Sequence, residues 1–206
     1  MKTENPEIEE VEKHFHFFLE ELPYKDVLDL FLMFLGERPS SLIMNAESQE
    51  IQKLENFCGR FEIHYRIEAG KSAISQNAVF VTEEKARLEN LEKVDGRFCG
   101  FTDEQVAEFL DYPEEDSEYF SENISSGQIE PEVRSKTREM IAENKLEQDA
   151  LKYIELVGYV PKPEKDNIQE AVEKGKKYES AIRAFDEENN SDLGAELMSL
   201  ALKDSY

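Results

Sequence analysis

The segment Phe61–Glu68 reads FEIHYRIE and alternates without a break: Phe61, Ile63, Tyr65 and Ile67 against Glu62, His64, Arg66 and Glu68. Successive side chains leave a strand on opposite sides, so a period of two marks a strand with one face on a core. The apolar set is expected to meet the interior and the polar set to meet water or a ligand. In a chain that otherwise repeats with the longer period of helices, this stretch sets the fold class.

Working outward, SSLIM (41–44 with Ser40) is a short strand candidate, and ESQEIQKLENFCG a helix that turns Ile51, Leu54, Phe57 and Cys58 inward. Downstream, GKSAISQN is a polar loop, AVFV a short buried strand, and TEEKARLENLEKV a helix with Thr82 at its N-cap. Ser40 to Val94 therefore reads as a β-α-β-β-α module around a sheet of three to four strands. Before it, apolar residues at Ile8, Val11, Phe15, Phe18, Leu19 and Leu22 line one helix face. Pro23 begins a second helix, YKDVLDLFLMFLG, which is apolar nearly all round and so belongs inside, with Gly36 at its C-terminal cap.

After the module, Phe101, Thr102, Gln105 and Val106 stand at the positions of a capping box with a hydrophobic staple. They predict a helix from Asp103 with Val106, Phe109 and Leu110 inward. Pro113 opens a short helix through Tyr119 and Phe120, and SSGQIEP separates it from a long helical region starting near Pro131, interrupted near Asn144. The residues before Pro161 and Pro163 are pushed to extended angles. A long helix then carries Ile168, Val172, Gly175, Tyr178, Ile182 and Phe185 on one stripe, and Ser191 caps a last helix. The expected fold is α+β and predominantly helical: a helical hairpin over 1–36, an α+β core over 37–125 and a helical region over 126–206, together one compact domain.

The chain has 206 residues, 39% of them hydrophobic, enough to bury a core. Its net charge of −23 repels phosphate backbones and anionic lipid heads, which argues against generic nucleic-acid or membrane binding. Such an excess also repels itself, a cost that high salt would screen, so a halophilic source is one expectation. Lysines outnumber arginines 16 to 8, which argues the other way. No apolar run approaches the roughly 20 residues that span a bilayer, and MKTENPEIEE lacks the apolar stretch of a secretion signal. A cytoplasmic protein with reduced thiols is expected.

Several residues invite a site. His64 and Arg66 share one side of a strand and could hold an anion together, with Glu62 and Glu68 as rival ion partners. His14 and His16 are two apart and diverge on a helix, so they make no metal pair. Between Arg97 and Arg134 eleven acids occur and no lysine or arginine, but the ligand spacing of a calcium loop is absent. Lys174, Lys176, Lys177 and Arg183 form the local positive cluster, interleaved with Glu170, Glu173 and Glu179. Each of the two cysteines adjoins a Gly-Arg-Phe string. Cys58 falls at a helix end, where the dipole disfavours a thiolate; Cys99, beside Arg97 and ahead of a helix start, is the reactive candidate. No phosphate loop, nucleophile elbow, zinc spacing or dinucleotide fingerprint is present, and neither a metal nor a cofactor is expected.

The segment GRFCGFTDEQVAEFLDYPEED, with the later GYVPKPEKDNIQEAVEKGKKYESAI, resembles an uncharacterised archaeal family in which a glycine-containing turn leads to a Tyr-Pro helix start. The resemblance covers Phe80 to Phe120, and it implies an archaeal source and an unassigned function. That family's pattern places a glycine before the Tyr-Pro pair and two cysteines after it. Here Asp111 precedes Tyr112-Pro113, and Glu115 and Asp116 stand where the thiols would be. The leading functional expectation is a non-catalytic binding or regulatory protein for a protein partner or small anionic ligand, acting through His64 and Arg66 or the turn at Arg97. One alternative is an enzyme whose centre combines Cys99, Arg97, His64 and an acid from the stretch between Asp103 and Asp116. Another is a structural protein that forms homo-oligomers through the apolar helix VLDLFLMFL.

Overall fold

The computed structural model describes residues 6–69, 77–93, 100–123 and 128–202. Its sheet is antiparallel with strand order β1-β3-β2, where β1 is Ser40–Ala46, β2 His64–Glu68 and β3 Asn77–Thr82. The central strand explains its own sequence. With a partner on each side and packing on both faces, AVFV needs no polar alternation: Val79 and Val81 join the larger core, Ala78 and Phe80 the smaller one.

The helices among the described residues are α1 (Pro6–Glu21), α2 (Tyr24–Phe34), α3 (Ser48–Arg60), α4 (Lys85–Glu89), α5 (Asp103–Phe109), α6 (Glu114–Asn123), α7 (Ile129–Ala142), α8 (Ala150–Leu156), α9 (Lys165–Asn189) and α10 (Leu193–Ala201). The protein is therefore predominantly helical α+β with a three-stranded sheet. The β-α-β-β-α order over β1, α3, β2, β3 and α4 matches the module read from the sequence.

The larger core runs from Val11 to Ala201 and draws on all three segments of the chain. At its centre lies α2, whose Val27, Leu28 and the run Leu30 to Met33 are buried on every side. Phe31 meets Phe15 at 5.0 Å and Phe185 at 5.1 Å, edge to face, so one side chain ties the first helix pair to the late long helix. The stripe from Ile168 to Phe185 on α9 is buried throughout. Gly175 on that stripe lets α8 in: a Cβ there would stand 2.1 Å from the carbonyl oxygen of Tyr153. On the far face of the sheet, Phe101 and Val106 of the staple pack with Phe80, and Thr102 and Gln105 exchange both capping-box hydrogen bonds.

Several local expectations change. The strand β2 begins at His64, not Phe61, because Glu62 adopts φ 58 and turns the chain. Its alternation is inverted in burial at its far end: Tyr65 and Ile67 are each 37% exposed, while Glu68 is 4% exposed; His64 at the start of the strand stays exposed. The cause is position. β2 is an edge strand, where the larger core runs out beneath Tyr65 and Ile67, while the opposite face is covered by α4 and Phe101. Thr82 ends β3 and accepts from the Glu84 amide, so the helix after it is the short α4. The amides opening α10 are held by Asp186 of α9, which accepts from Gly194 and Ala195, as well as by Ser191, which accepts from Leu193. The break near Asn144 is present, with φ 55 at that residue.

Candidate functional site

Arg97 and Cys99 lie outside the described residues. His64 is exposed at the sheet edge, and Arg66 is half-buried beside it. The guanidinium of Arg66 is committed internally: Nε donates to Glu68 at 2.6 Å, Nη1 to the Leu91 carbonyl at 2.7 Å, and the group lies over the Phe101 ring. Glu68 is shared with Lys93 at 2.5 Å. His64 and Arg66 do line one cleft with Lys85, whose ammonium is paired to Glu89 at 2.9 Å. An anion entering there would have to displace Glu68 or Glu89.

The remaining candidates are built into the fold. Burial, with Glu55 nearby, pushes the Cys58 thiol up to about 12, which makes it a small core hydrophobe. His14 packs among Phe18, Phe57 and Phe61, and burial lowers its pKa. Asp116, from the acidic stretch, accepts from the Lys162 amide and the Asn167 side chain, both at 2.8 Å. In the positive cluster, Lys176 pairs with Glu147 and Glu173, Lys177 with Glu37, and Arg183 with Glu179. Among the described residues no group of three or more metal-ligating side chains is placed to hold an ion.

A different set converges on one cavity of about 280 Å³ between α2, α7, α8 and the segment at 158–160. Its floor is a buried polar knot. Arg38, 4% exposed, sits 3.0 Å from Asp29 of α2 through Nη1 and donates from Nη2 to the Leu156 carbonyl at 2.9 Å. Its guanidinium also lies over the ring of Tyr178, 5.1 Å from the centroid. Tyr112 donates to the Gly158 carbonyl at 2.9 Å. Gly158 has φ +74, and a Cβ there would come within 2.6 and 2.7 Å of the Arg38 nitrogens. Only glycine admits both the backbone angle and the ion pair.

The wall adds Asp26, one turn before Asp29 on α2. Asp26 accepts from the Met44 amide at 3.2 Å, at the register shift between Met44 and Ala46 of β1. Burial, reinforced by the neighbouring charge of Asp29, pushes the Asp26 carboxyl up to about 7. Asp29 is also raised by burial, against the pull of Arg38 and Lys25. Across the cavity Glu155 holds both Lys25, at 3.4 Å, and Arg134. Tyr112 and Tyr159 supply two rings with centroids 5.3 Å apart, and burial raises both hydroxyl pKa values.

Asp26 and Asp29 escaped the sequence reading, yet the signal is plain. They are two carboxylates three apart on a helix that is otherwise apolar all round, so at least one must be buried and in need of a partner. The partner, Arg38, follows Gly36 by two residues. Compared with protein-family models, with curated proteins and with solved structures, the chain matches none.

Proposed function

We propose that this chain is a non-catalytic, cytoplasmic binding protein whose ligand site is the cavity walled by Asp26, Tyr112 and Tyr159. The observation that carries the reading is the knot beneath the cavity. Asp29, Arg38, Tyr112 and the Gly158 backbone are committed to one another, which gives a preformed pocket with a fixed polar floor. Preorganisation of this kind favours binding, because little side-chain freedom remains to be lost when a ligand enters. The buried free thiol of Cys58 fits a reducing compartment.

Ligand-observed NMR with a mixture of small polar molecules tests the site. Hits are expected to compete with one another and to disappear when the cavity is filled from its wall by Val160→Trp. Hits that persist unchanged in that variant would place the ligand elsewhere. No helix among the described residues is long and apolar enough to cross a membrane.

A further inference from the structure

We infer that the cavity beside Tyr112 and Tyr159 takes a small organic cation, a compact ammonium, and not the anion that the sequence suggested. The inference rests on the cavity being the ligand site and adds the charge and class of what enters.

Three arguments lead to it. The first is charge. Of the six charged side chains on the wall, Lys25 and Arg134 both sit on Glu155, and Asp29 is paired to Arg38. Asp26 and Glu130 are left, and neither has an ion-pair partner among the described residues. An anion would meet both of them, while an apolar ligand would strip water from Asp26 and return nothing. A cation offsets them.

The second is ring chemistry. Aromatic faces beside carboxylates are the usual surroundings of an ammonium. Lys174 lies over the Tyr159 ring at 5.5 Å, so one ring of the pair already faces a cation, and Tyr112 is the second ring lining the cavity. Tyr159, 9% exposed, also carries a buried hydroxyl with no hydrogen-bond partner among the described residues.

The third is size. A volume of about 280 Å³ is at the small end of ligand cavities and suits an amine of a few carbons, not a nucleotide or peptide.

Entry of a cation would also favour the charged form of Asp26. The charged groups around it are Lys25 and Asp29 on α2 itself, Glu20 and Glu21 at the end of α1, and, across the cavity, Glu130 and Arg134 on α7 and Glu155 on α8. Binding therefore releases a proton near neutrality, and affinity rises with pH.

The test titrates the full chain with tetramethylammonium and putrescine as cations, succinate as anion and acetamide as neutral control. The readout is the amide shifts of Met44, Gly158 and Val160. The cations are expected to shift these amides saturably, with affinity rising severalfold from pH 6 to pH 8, and Asp26→Asn and Glu130→Gln should each weaken binding at least fivefold. Glu130 is exposed on α7, so its variant keeps the test decisive should Asp26→Asn disturb packing. Saturable binding of succinate or acetamide without the cations overturns the charge assignment and leaves the cavity standing as a site. Silence from every compound overturns both.

Discussion

Arg38 Nη1 lies 3.0 Å from Asp29 Oδ1, and the same guanidinium reaches the Leu156 carbonyl, 118 residues along the chain. The pair thus holds α2 and the turn after it against the C-terminal end of α8. Desolvating two charges costs roughly what their attraction returns, so such a pair fixes arrangement more than it adds net stability. Losing one partner is another matter, because it strands the other. Arg38→Met is expected to destabilise by about 3 to 5 kcal/mol in urea unfolding. Asp29→Asn, which still accepts a hydrogen bond, should cost less, about 1 to 3 kcal/mol. The double variant Arg38→Met with Asp29→Leu should recover much of the loss; a loss equal to the sum of those of Arg38→Met alone and Asp29→Leu alone would show that the two side chains are not coupled.

Gly158 and Gly36 separate backbone strain from crowding. Both have positive φ, +74 and +73, but a Cβ at Gly36 meets nothing within 4 Å, while one at Gly158 meets Arg38 and Asp29. Gly36→Ala should therefore cost only the left-handed penalty, about 1 to 2 kcal/mol. Gly158→Ala should exceed it by at least about 2 kcal/mol, since the buried pair must also move. Equal costs in chemical unfolding would mean that the pair yields without penalty.

What the sequence made legible follows the range of the interactions involved. The capping box at Thr102 and Gln105, the break at Asn144 and the stripe on α9 are set by neighbours within one or two turns, and all three appear as read. The burial of β2 was misjudged because the alternation of Phe61 to Glu68 reports two faces without saying which lies under a core. That depended on β3 taking the central place and on α4 and Phe101 covering the polar side. The cavity was missed for a related reason. Asp26, Tyr112, Glu130 and Tyr159 are far apart in sequence and belong to four different chain segments, so no local spacing could join them. Only the pair of aspartates on an apolar helix hinted at it.

The carboxyl of Asp26 gives stability a particular pH dependence. Its ordinary value is 3.8 and burial lifts it to about 7, so between those values the folded chain binds a proton that the unfolded chain has released. The contribution of Asp26 therefore falls as pH rises from about 4 to about 7, and the full cost is present above neutrality. At roughly 1.36 kcal/mol per unit the cost is at most about 4 kcal/mol. Asp26→Asn keeps an acceptor for the Met44 amide and cannot ionise. It should be more stable than the parent at pH 8 and close to it at pH 4, measured as the difference in unfolding free energy at the two pH values. A difference that does not change with pH would mean that Asp26 titrates as a solvated carboxylate.

The net charge of −23 sets two opposing responses to salt. Surface ion pairs such as Lys85 with Glu89 and Lys136 with Glu139 weaken as salt is added, but exposed pairs contribute only about 0 to 1 kcal/mol each. Repulsion among the excess acids acts over the whole surface and is screened as the Debye length falls from about 30 Å at 0.01 M to about 3 Å at 1 M. Repulsion should win, because the excess acids have no cations to pair with while each pair is worth little. Thermal unfolding followed from 0.01 M to 1 M sodium chloride should thus show the midpoint rising steeply at first and then levelling off. A chain that unfolds outright at the low end and recovers only at molar salt would tie the acid excess to a salt-rich setting. A midpoint that falls with salt would show instead that the ion pairs carry more of the stability than the excess charge removes.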